Sequence, residues 1–549
     1  MKKLILAVFL IVAVFVLFYV YLPVLSYGFT AWATILLIIL IICMLANTDM
    51  KMNPQTGATK ILKAPHRGWW IAISMLCLYI FVLPLITSSA MLRTSEYQTL
   101  IGKVAKGEKI SQHIAPISMN EIRVVDEDLA MLLGEKILGS QPALGSQVEI
   151  GEFSIQQVNK KLFWVAPLLH SGFFKWFNNQ DGTPGYVMVS ATNERDVRLV
   201  QTINNKPIKI KYQPNAYFGS DNARFLYFNG FHSTGLQEFS FEIDDNGKPF
   251  WVVSKYEKKI GFSGNDATGV IILDAESGDI KHYSIKTTPI WVDRIQPIDF
   301  VEDQLNDWGK YINGYWNFAN INKLAITEGL TLVYGQDNRS YWYTGLTSVG
   351  KDESAVGFVL VDTRTKETTF YKQSGATEFA AQSSAKGKVQ EKGYSASLPI
   401  PYNINGIPTY VMTLKDAGGL VKMFAMVAIS DYTIVGVGNT MRETLSAFKN
   451  VYNMADNKIN PQSTTNKKMI EATVARIQND VNNGNSFYYF QVEGNPGIFV
   501  GTSQISAQIP LTMKGDIIKI SFDQDSEKVI DISSFENLSL KQKIETIQK

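Results

Sequence analysis

The sequence predicts an α-helical membrane anchor followed by an α+β region of tandem helix and antiparallel-sheet repeats, with a small C-terminal β-barrel. Three observations predict this fold class. Three long apolar runs lie within the first 92 residues, a strand pattern recurs at intervals of roughly 85 to 90 residues, and five short strands lie near the C-terminus. The chain has 549 residues, enough for about three or four domains.

The first 92 residues predict three transmembrane helices. The apolar runs are "LILAVFLIVAVFVLFYVYLPVL" after Lys3, "TAWATILLIILIICMLA" at 30–46 and "WWIAISMLCLYIFVLPLITSSAML" from Trp69. A helix needs about 20 apolar residues to cross the hydrocarbon core. The alternative, a cleaved signal peptide, fits only the first run, and that run is too long and lacks an A-x-A cleavage site.

The basic residues predict the orientation of this anchor. The first connection, "SYGF", carries no charge, whereas the N-terminus and the second connection are basic through Lys2, Lys3, Lys51, Lys60, Lys63 and Arg67. The positive-inside rule therefore predicts a multi-pass cell-membrane protein with a cytoplasmic N-terminus and a large extracytoplasmic domain. Both cysteines, Cys43 and Cys77, fall in apolar runs, so we expect neither disulfides nor thiolate metal sites outside the membrane.

A strand pattern recurs three times after residue 92. The stretches "GYVMVSATNERDVRLV" from Gly185, "GVIILDAESGDIKHYS" from Gly269 and "GFVLVDTRTKETTFYK" from Gly357 share a glycine, an apolar strand, a polar turn and a second strand. An aromatic strand precedes each, with Trp164, Trp251 and Trp342 at matching spacings. A looser fourth copy has Tyr410. We expect one structural unit used repeatedly, with each tryptophan buried in a core of its own.

Helical stretches at 124–138, 299–312 and 377–390 precede strands of the pattern, each with an acid near its start and Lys near its end. The predicted boundaries are then as follows: anchor 1–92, first repeat 93–215, second repeat 216–297, third repeat 298–376, fourth repeat 377–452, linker 453–467, barrel 468–535 and tail 536–549.

A helix followed by a sheet that closes on two strands, as in "GVIILDAESGDIKHY", resembles the PepSY family of small extracytoplasmic domains. The string "DESAVGFVLVDTRTKETTFYKQSGATEFAA" is similar to long, uncharacterised bacterial envelope membrane proteins. The resemblance implies α+β units that bind or restrain a partner, without catalytic residues.

The C-terminal segment predicts an OB-like barrel. Its five strands are separated by turns such as "NNGN" and Lys514-Gly515-Asp516. Barrels of this kind often bind oligonucleotides or sugars, but the rings of Phe487, Tyr488, Tyr489 and Phe490 favour core and interface positions, because only alternate rings of a strand face one side. The net charge of +2, with both signs mixed along the chain, gives no indication of a nucleic-acid partner.

No motif predicts a catalytic, cofactor or metal site. Gly345 to Lys351 matches G-x-x-x-x-G-K, but Asp352 and Glu353 replace the magnesium-binding Ser or Thr, and a strand follows where a helix is required. We interpret this stretch as a strand connection. The five histidines lack metal-ligand spacing, and Asp274 and Asp362, at equivalent strand ends, are predicted to form turns.

The segment "NDWGKYINGYWNF" supplies the candidate partner-binding residues Trp308, Tyr311, Tyr315 and Trp316; the alternative is that these rings belong to the core. The sequence therefore predicts a membrane-anchored binding, scaffolding or assembly protein of the bacterial envelope, with a protein or cell-wall partner outside the membrane and possible homo-oligomers. The alternative is a cell-wall hydrolase with unrecognised carboxylates, which requires two acids facing each other in a cleft. A transporter is disfavoured because the apolar runs contain no charged residue.

Overall fold

The structure is a computed structural model with a mixed α+β architecture. It describes residues 2–46, 49–52, 59–63, 67–110, 114, 121–327, 329–335, 339–348, 354–404, 406–459, 467–482, 485–503, 505–523 and 529–540. Two compact units can be distinguished. The first contains Met1–Ala380 and Leu398–Pro408, and the second contains Ala381–Ser397 and Thr409–Lys549.

The apolar runs form helices. Their bounds are α1 (Lys2–Tyr21), α2 (Ala31–Ala46), α3 (Arg67–Cys77) and α4 (Leu83–Thr87), with a short hairpin of β1 (Asp49–Met52) and β2 (Thr59–Lys63) between α2 and α3. A π-helical turn at Leu78–Val82 joins α3 to α4. Pro84 follows this turn, and a proline ring displaces the carbonyl one turn before it, which accounts for the widened turn.

Among the residues that the structure describes, one helix is long and apolar enough to cross a membrane. The continuous helix Arg67–Thr87 has 21 residues and a mean hydropathy of 2.3. At about 1.5 Å per residue this length matches a hydrocarbon core of about 30 Å. Among the described residues, Ile11–Tyr21 and Ala31–Leu45 are shorter apolar helical stretches. By length and composition, one of the three predicted spans is therefore found.

The first sheet is antiparallel and centred on a long strand. Before it lie α5 (Ala90–Thr99), β3 (Val104–Gly107), α6 (Glu127–Gly139) and α7 (Pro142–Gly145). The sheet contains β4 (Val148–Ile150), β5 (Ser154–Val158), β6 (Lys161–His170), β7 (Tyr186–Ser190) and β8 (Val197–Val200), and α8 (Phe173–Asn178) connects β6 to β7. Strands β4 and β5 both pair with β6, followed by β7 and β8. Asp126 caps α6 by accepting from the Leu129 N–H.

The second sheet is a four-stranded meander. A short pair, β9 (Thr202–Ile203) and β10 (Lys206–Pro207), and the helix α9 (Asn222–Leu226) precede it. Its strands are β11 (Gly235–Ile243), β12 (Pro249–Ile260), β13 (Ser263–Asp274) and β14 (Ile280–Ser284), paired in that order. The β12–β13 hairpin is longer than its neighbours and extends to a tip at residues 258–263, called the hairpin tip below.

The third sheet takes a strand from another part of the chain. It follows α10 (Ile298–Lys310) and contains β15 (Leu324–Ile326), β16 (Thr331–Tyr334), β17 (Ser340–Ser348), β19 (Gly357–Asp362) and β20 (Thr368–Tyr371), while β18 (Ser354–Ala355) pairs with β21 (Gly375–Ala376). Strand β3 pairs with β20 in parallel, although it falls inside the range expected for the first repeat. The third sheet therefore includes a strand that precedes all the others by more than 200 residues in sequence.

Helix α11 (Glu378–Lys388) and strand β22 (Ser395–Ala396) follow the third sheet, and β23 (Ile400–Ile404) belongs to the first unit. The second unit contains an antiparallel sheet and a closed barrel. Its sheet contains β24 (Ile407–Lys415), β25 (Val421–Ala428) and β26 (Asp431–Gly438), and α12 (Met441–Ile459) follows. The barrel strands are β27 (Lys467–Asn482), β28 (Asn485–Val492), β29 (Ile498–Thr502), β30 (Ile517–Asp523) and β31 (Val529–Asn537), closed in the order β27-β28-β29-β31-β30.

The first part of the predicted linker at 453–467 is helical in the structure. Helix α12 continues to Ile459, and β27 begins at Lys467. Residues 460–466, with the Pro461 that suggested a linker, lie outside the described residues. The apolar periodicity of α12 begins well before residue 453. Because helix formation is cooperative, α12 continues into a polar stretch that has no periodicity of its own.

Three tryptophans are held in the same way in the first three sheets. Trp164, Trp251 and Trp342 are 7%, 4% and 5% exposed, which confirms the expectation that they are buried. Each indole N–H donates to a backbone carbonyl about 40 residues earlier in the chain. The acceptors are Val125 O at 2.8 Å, Tyr212 O at 2.6 Å and Gln296 O at 3.1 Å, respectively.

The segments that accept these bonds are fixed a second time. In each segment, two consecutive N–H groups donate to one carbonyl just after the strand that follows the tryptophan strand in the same sheet. The N–H groups of residues 124 and 125 donate to Ala191 O, those of 211 and 212 to Ala275 O, and those of 295 and 296 to Thr363 O. The first and third segments lead into α6 and α10. The same local arrangement therefore occurs three times.

The expectation of a separate core for each sheet is wrong for the first two. One cluster of buried side chains contains Phe163 and Tyr186 of the first sheet together with Phe241 and Trp251 of the second. Hydrogen bonds between the facing strands β5 and β11 reinforce it: the Ser154 and Ser240 hydroxyls are 3.0 Å apart, and Ile243 N–H donates to Gln156 Oε1. A single unit is too small to bury both faces of its own sheet, so neighbours share a core.

Candidate functional site

The predicted aromatic segment divides between core and surface. Tyr311 is 6% exposed and its ring packs against Tyr97, with centroids 6.2 Å apart. Trp308 on α10 is half-buried against Phe370. Tyr315 and Trp316, by contrast, are 36% and 66% exposed. The core alternative is therefore right for Tyr311, while the exposed pair remains available for binding.

The loop after α10 adds two apolar side chains that the sequence prediction missed. Phe318 is 73% exposed and Ile321 is 59% exposed. Tyr315 packs edge-on against Trp316 at 5.3 Å, and Trp316 packs edge-on against Phe318 at 5.7 Å. The recurrence of apolar residues in "YWNFANI" is the signal that could have indicated them. We call Tyr315, Trp316, Phe318 and Ile321 the aromatic loop.

Asparagine side chains hold the aromatic loop in one conformation. Asn317 accepts from Ile321 N–H at 3.0 Å and donates to Ile321 O at 2.8 Å, and Asn313 donates to the same carbonyl at 2.8 Å. Asn320 and Asn322 adopt positive φ, which asparagine tolerates better than most residues. The rings are thus presented on an ordered frame, which lowers the entropy lost when a partner binds.

The aromatic loop carries rings and an aliphatic chain but no charge. Such side chains bind by stacking and by burial of apolar surface, and Tyr and Trp dominate the affinity of many interfaces. Apart from the Tyr315 hydroxyl, the loop offers no acid, base or nucleophile for chemistry. Its exposed side chains suit binding by apolar contact.

The hairpin tip contacts the helix Arg67–Thr87, the residue after it and the α1–α2 connection. Phe262 packs against Tyr79 of the helix Arg67–Thr87 at 5.3 Å and against Tyr27 of the α1–α2 connection at 5.2 Å. Its N–H donates to Ser88 Oγ at 2.7 Å. The Lys258 ammonium lies 5.3 Å from the Phe29 ring centroid and donates to Phe262 O, and burial lowers the pKa of Lys258.

A second contact fixes the region around α9 to the end of α1. Tyr227 Oη donates to Pro23 O at 2.8 Å, and Leu25 N–H donates to His232 O at 2.7 Å. The Arg224 guanidinium lies 4.7 Å over the Tyr19 ring and donates to Tyr19 O. The hairpin of the second sheet and the segment around α9 therefore contact the helices through hydrogen bonds and ring contacts.

The most strongly shifted acids lie in the interior between sheets. Burial raises the pKa of Glu242 to about 8 and that of Asp293 to about 6. Glu242 is 1% exposed and its Oε2 has no hydrogen-bond partner, whereas Asp293 Oδ2 accepts from Gln157 N–H at 2.8 Å. Arg294 lies near both acids and donates to Ser154 and Ser240.

The strand-end aspartates form turns, as the sequence predicts. Asp274 Oδ1 accepts from the N–H groups of Glu276 and Ser277, and its other oxygen pairs with Lys248 at 2.5 Å. Asp362 Oδ1 accepts from Arg364 and Thr365 in the same way and pairs with Arg339. In the part of the chain that the structure describes, no group of three or more His, Cys, Asp or Glu could hold a metal ion.

The G-x-x-x-x-G-K stretch begins inside a strand. Gly345 belongs to β17, pairs with Phe358 and donates its N–H to Glu378 Oε1 at 2.9 Å. Strand β17 continues to Ser348, so the predicted strand connection is shorter than expected, and Lys351 lies outside the described residues. A carboxylate bound to the first glycine N–H occupies the donor that a phosphate would need.

The comparisons with known proteins identify no family. No family model matches the chain, and no curated protein matches it. Among solved structures, the polysaccharide lyase Uly1 is similar over 71% of this chain and 78% of its own, with 10% identity and a TM-score of 0.17. A TM-score this low shows neither a shared fold nor a shared activity.

Proposed function

We propose that this chain is a membrane-anchored binding and assembly protein of the bacterial envelope. Three spans hold it in the membrane with a cytoplasmic N-terminus, and the region after residue 92, the outer region, faces outward. The aromatic loop binds its partner. The observation that carries this proposal is that the hairpin tip contacts both the α1–α2 connection and Ser88, which follows the helix Arg67–Thr87.

That contact supports three spans because it brings the α1–α2 connection and the end of the third apolar helix to the same side of the helices. In an up-down-up arrangement, the first connection and the end of the third helix lie at the same membrane surface. Tyr27 belongs to the former and Ser88 follows the latter, and both contact Phe262. The basic hairpin with Lys51, Lys60 and Lys63 then lies at the opposite surface, as the positive-inside rule requires.

Attachment of the second sheet and of the segment around α9 to the helices supports an assembly role. A tethered enzyme domain needs only a flexible linker, whereas here four short polar contacts and two aromatic clusters join the sheets to the helices. Such attachment fixes the height and direction at which the aromatic loop is displayed. The uncharged rings suit an apolar protein segment or the faces of sugar rings in cell-wall glycan.

The tandem units and the barrel are in keeping with this role. We infer that the first three sheets are PepSY-like repeats, supported by the three equivalent tryptophan hydrogen bonds. We infer an OB-like barrel from the closed five-stranded order in which β29 and β31 pair in parallel. Phe490 lies in the core of the barrel and Phe487 is buried outside that core, which agrees with the core and interface interpretation of those rings.

Membrane topology is tested with single cysteines in a chain in which Cys43 and Cys77 are replaced by Ser. Ser277→Cys, at an exposed turn, should react with a membrane-impermeant thiol reagent in intact cells or spheroplasts, and Thr56→Cys should not. Permeabilised cells, in which both positions should react, are the control. The opposite pattern contradicts the proposed orientation, and reaction at both positions in intact cells contradicts the three-span arrangement, because the helix Arg67–Thr87 would then not separate them.

Partner binding is tested with a photoreactive amino acid placed at Trp316 in living cells. A covalent adduct of defined mass should form there, because the exposed ring lies at the centre of the aromatic loop. The same amino acid at Ser277, an exposed turn residue outside the aromatic loop, is the matched control. Equal yields at both positions, or none at Trp316, contradict the binding role of the aromatic loop.

A further inference from the structure

A second exposed aromatic surface lies away from the aromatic loop and has no role in the function proposed above. On α8, Phe174 is 77% and Phe177 58% exposed, and beyond α8, Phe218 is 58% and Phe228 52% exposed. Phe173 and Tyr217 join them, with ring centroids 5.0 Å apart. We call these six side chains the aromatic patch. Apolar surfaces of this kind on an outer domain usually mark an interaction site.

The aromatic patch is continuous with the outer end of α1. The Phe228 ring packs against Tyr19, two residues before the last residue of α1, with centroids 5.6 Å apart. Arg224 bridges the two elements: it stacks on Tyr19, donates to Tyr19 O and donates to Phe218 O at 3.3 Å. Trp176, the buried ring on the inner side of α8, contacts Phe218 with ring centroids 5.7 Å apart. A chain of contacts thus leads from the end of an apolar helix to the most exposed rings.

We propose that the aromatic patch lies in the headgroup region of the outer leaflet and is a lateral, in-plane attachment of the first sheet to the lipid bilayer. This inference rests on the proposed function, because it requires that α1 spans the membrane. Tyr19 then lies at the membrane–water interface, where aromatic rings concentrate. The Phe228 ring of the aromatic patch packs against Tyr19 and therefore lies at the same depth.

The composition of α8 suits this environment. Phe173, Phe174 and Phe177 are exposed at spacings that share one helical face, and Lys175 is also exposed. A lysine on such a helix can extend its ammonium to lipid phosphates while its aliphatic stem remains among the acyl chains. Burial of the exposed rings in the membrane interface stabilises the attachment by roughly 25 cal/mol per Å² of apolar surface removed from water.

The test uses the full-length chain without Cys43 and Cys77, reconstituted in vesicles of phosphatidylcholine and phosphatidylglycerol. Single cysteines replace Phe174, Ile290 or Ile11 and carry an environment-sensitive fluorophore. Ile290 is 92% exposed but outside the aromatic patch, and Ile11 is 69% exposed on α1. Quenching is measured with lipids that carry a nitroxide either near the headgroup or deep in the acyl chain.

The fluorophore at Phe174 should be quenched more strongly by the headgroup nitroxide than by the deep one, and that at Ile290 by neither. If Phe174 behaves like Ile290, or if its emission is shifted to the blue without lipid quenching because a protein surface covers it, the inference is wrong. The Ile11 position separates the two proposals. Deep quenching at Ile11 with none at Phe174 overturns the in-plane attachment alone, whereas absence of quenching at Ile11 overturns the membrane anchor itself.

Discussion

At the scale of single residues, buried polar atoms form hydrogen bonds that hold neighbouring elements together. The indole N–H groups of Trp164, Trp251 and Trp342 each join a central strand to the segment before it. Glu242 is different, since it is buried with an oxygen that has no partner. Burial disfavours its charged form, so the folded chain holds a proton on Glu242 that the unfolded chain releases at neutral pH.

Glu242 should make stability fall as the pH rises. Its pKa is about 8 in the folded chain, against an ordinary value of 4.5, so its stabilising effect is complete below pH 4.5 and is lost as the pH rises to about 8. Glu242→Gln keeps the shape of the neutral form and removes the titration. The difference in unfolding free energy between wild type and variant should therefore change by on the order of 3 kcal/mol from pH 5 to pH 8, in favour of the variant.

Thermal unfolding of both chains in detergent at pH 5, 6, 7 and 8 measures this change. Asp293 remains in both chains and contributes its own fall in stability between about pH 4 and pH 6 to each. Parallel curves for wild type and Glu242→Gln would show that the Glu242 carboxyl is already charged at pH 5.

At the scale of elements, the β12–β13 hairpin joins the second sheet to the end of the apolar helix Arg67–Thr87. Gly261 at its tip has a φ of +62°, and a Cβ there would lie 2.6 Å from Thr87 Oγ1 and 2.8 Å from Ser88 Oγ. The hairpin can approach the end of the helix this closely because residue 261 has no side chain.

Gly261→Ala should loosen the contact between the hairpin tip and the helix. The matched control is Gly393→Ala, because Gly393 has a φ of +64° and a Cβ there would meet nothing within 4 Å. Both variants bear the backbone strain of a left-handed alanine, about 1 kcal/mol, but only Gly261→Ala adds a clash. The rate at which a thiol reagent modifies Ser88→Cys, in a chain without the two native cysteines, should rise several-fold in Gly261→Ala alone. Equal rates in both variants would assign the effect to strain, and no change would show that the contact is dispensable.

At the scale of the whole molecule, the repeated units are less independent than their sequences suggest. The first and second sheets share a buried cluster, and the third sheet is completed by β3, which precedes the first sheet in sequence. The units therefore do not form a simple row in which each contacts only the next one along the chain.

Trp251→Ala should weaken both of the first two sheets. Emptying a large aromatic site costs about 3 to 5 kcal/mol, and the cluster around Trp251 includes Phe163 and Tyr186 of the first sheet. Limited proteolysis of the full chain should then nick within 148–200 as well as within 235–284. Trp342→Ala, equally buried but outside this cluster, is the control and should leave those ranges protected. Nicks confined to 235–284 in Trp251→Ala would show that the units have separate cores after all.

The local pattern of the sequence was sufficient for much of the fold. Apolar runs located α1, α2 and the helix Arg67–Thr87, acids near helix starts located α6, α10 and α11, and the recurring Trp and Gly positions located the central strands. These features depend on periodicity and composition within about 20 residues, which the sequence displays directly.

The sequence by itself determined the apolar helices, the alternating strands and the segment that carries the aromatic loop, because neighbouring residues fix each of these. Only the tertiary structure decided that Tyr311 is buried while Trp316 is exposed, that β3 joins the third sheet, that two sheets share a core, and that the hairpin tip contacts Ser88. Each of these outcomes depends on residues that are far apart in the chain. The burial and strand pairing of these residues depend on which surfaces of the folded chain meet. The periodicity of neighbouring residues contains no information about that.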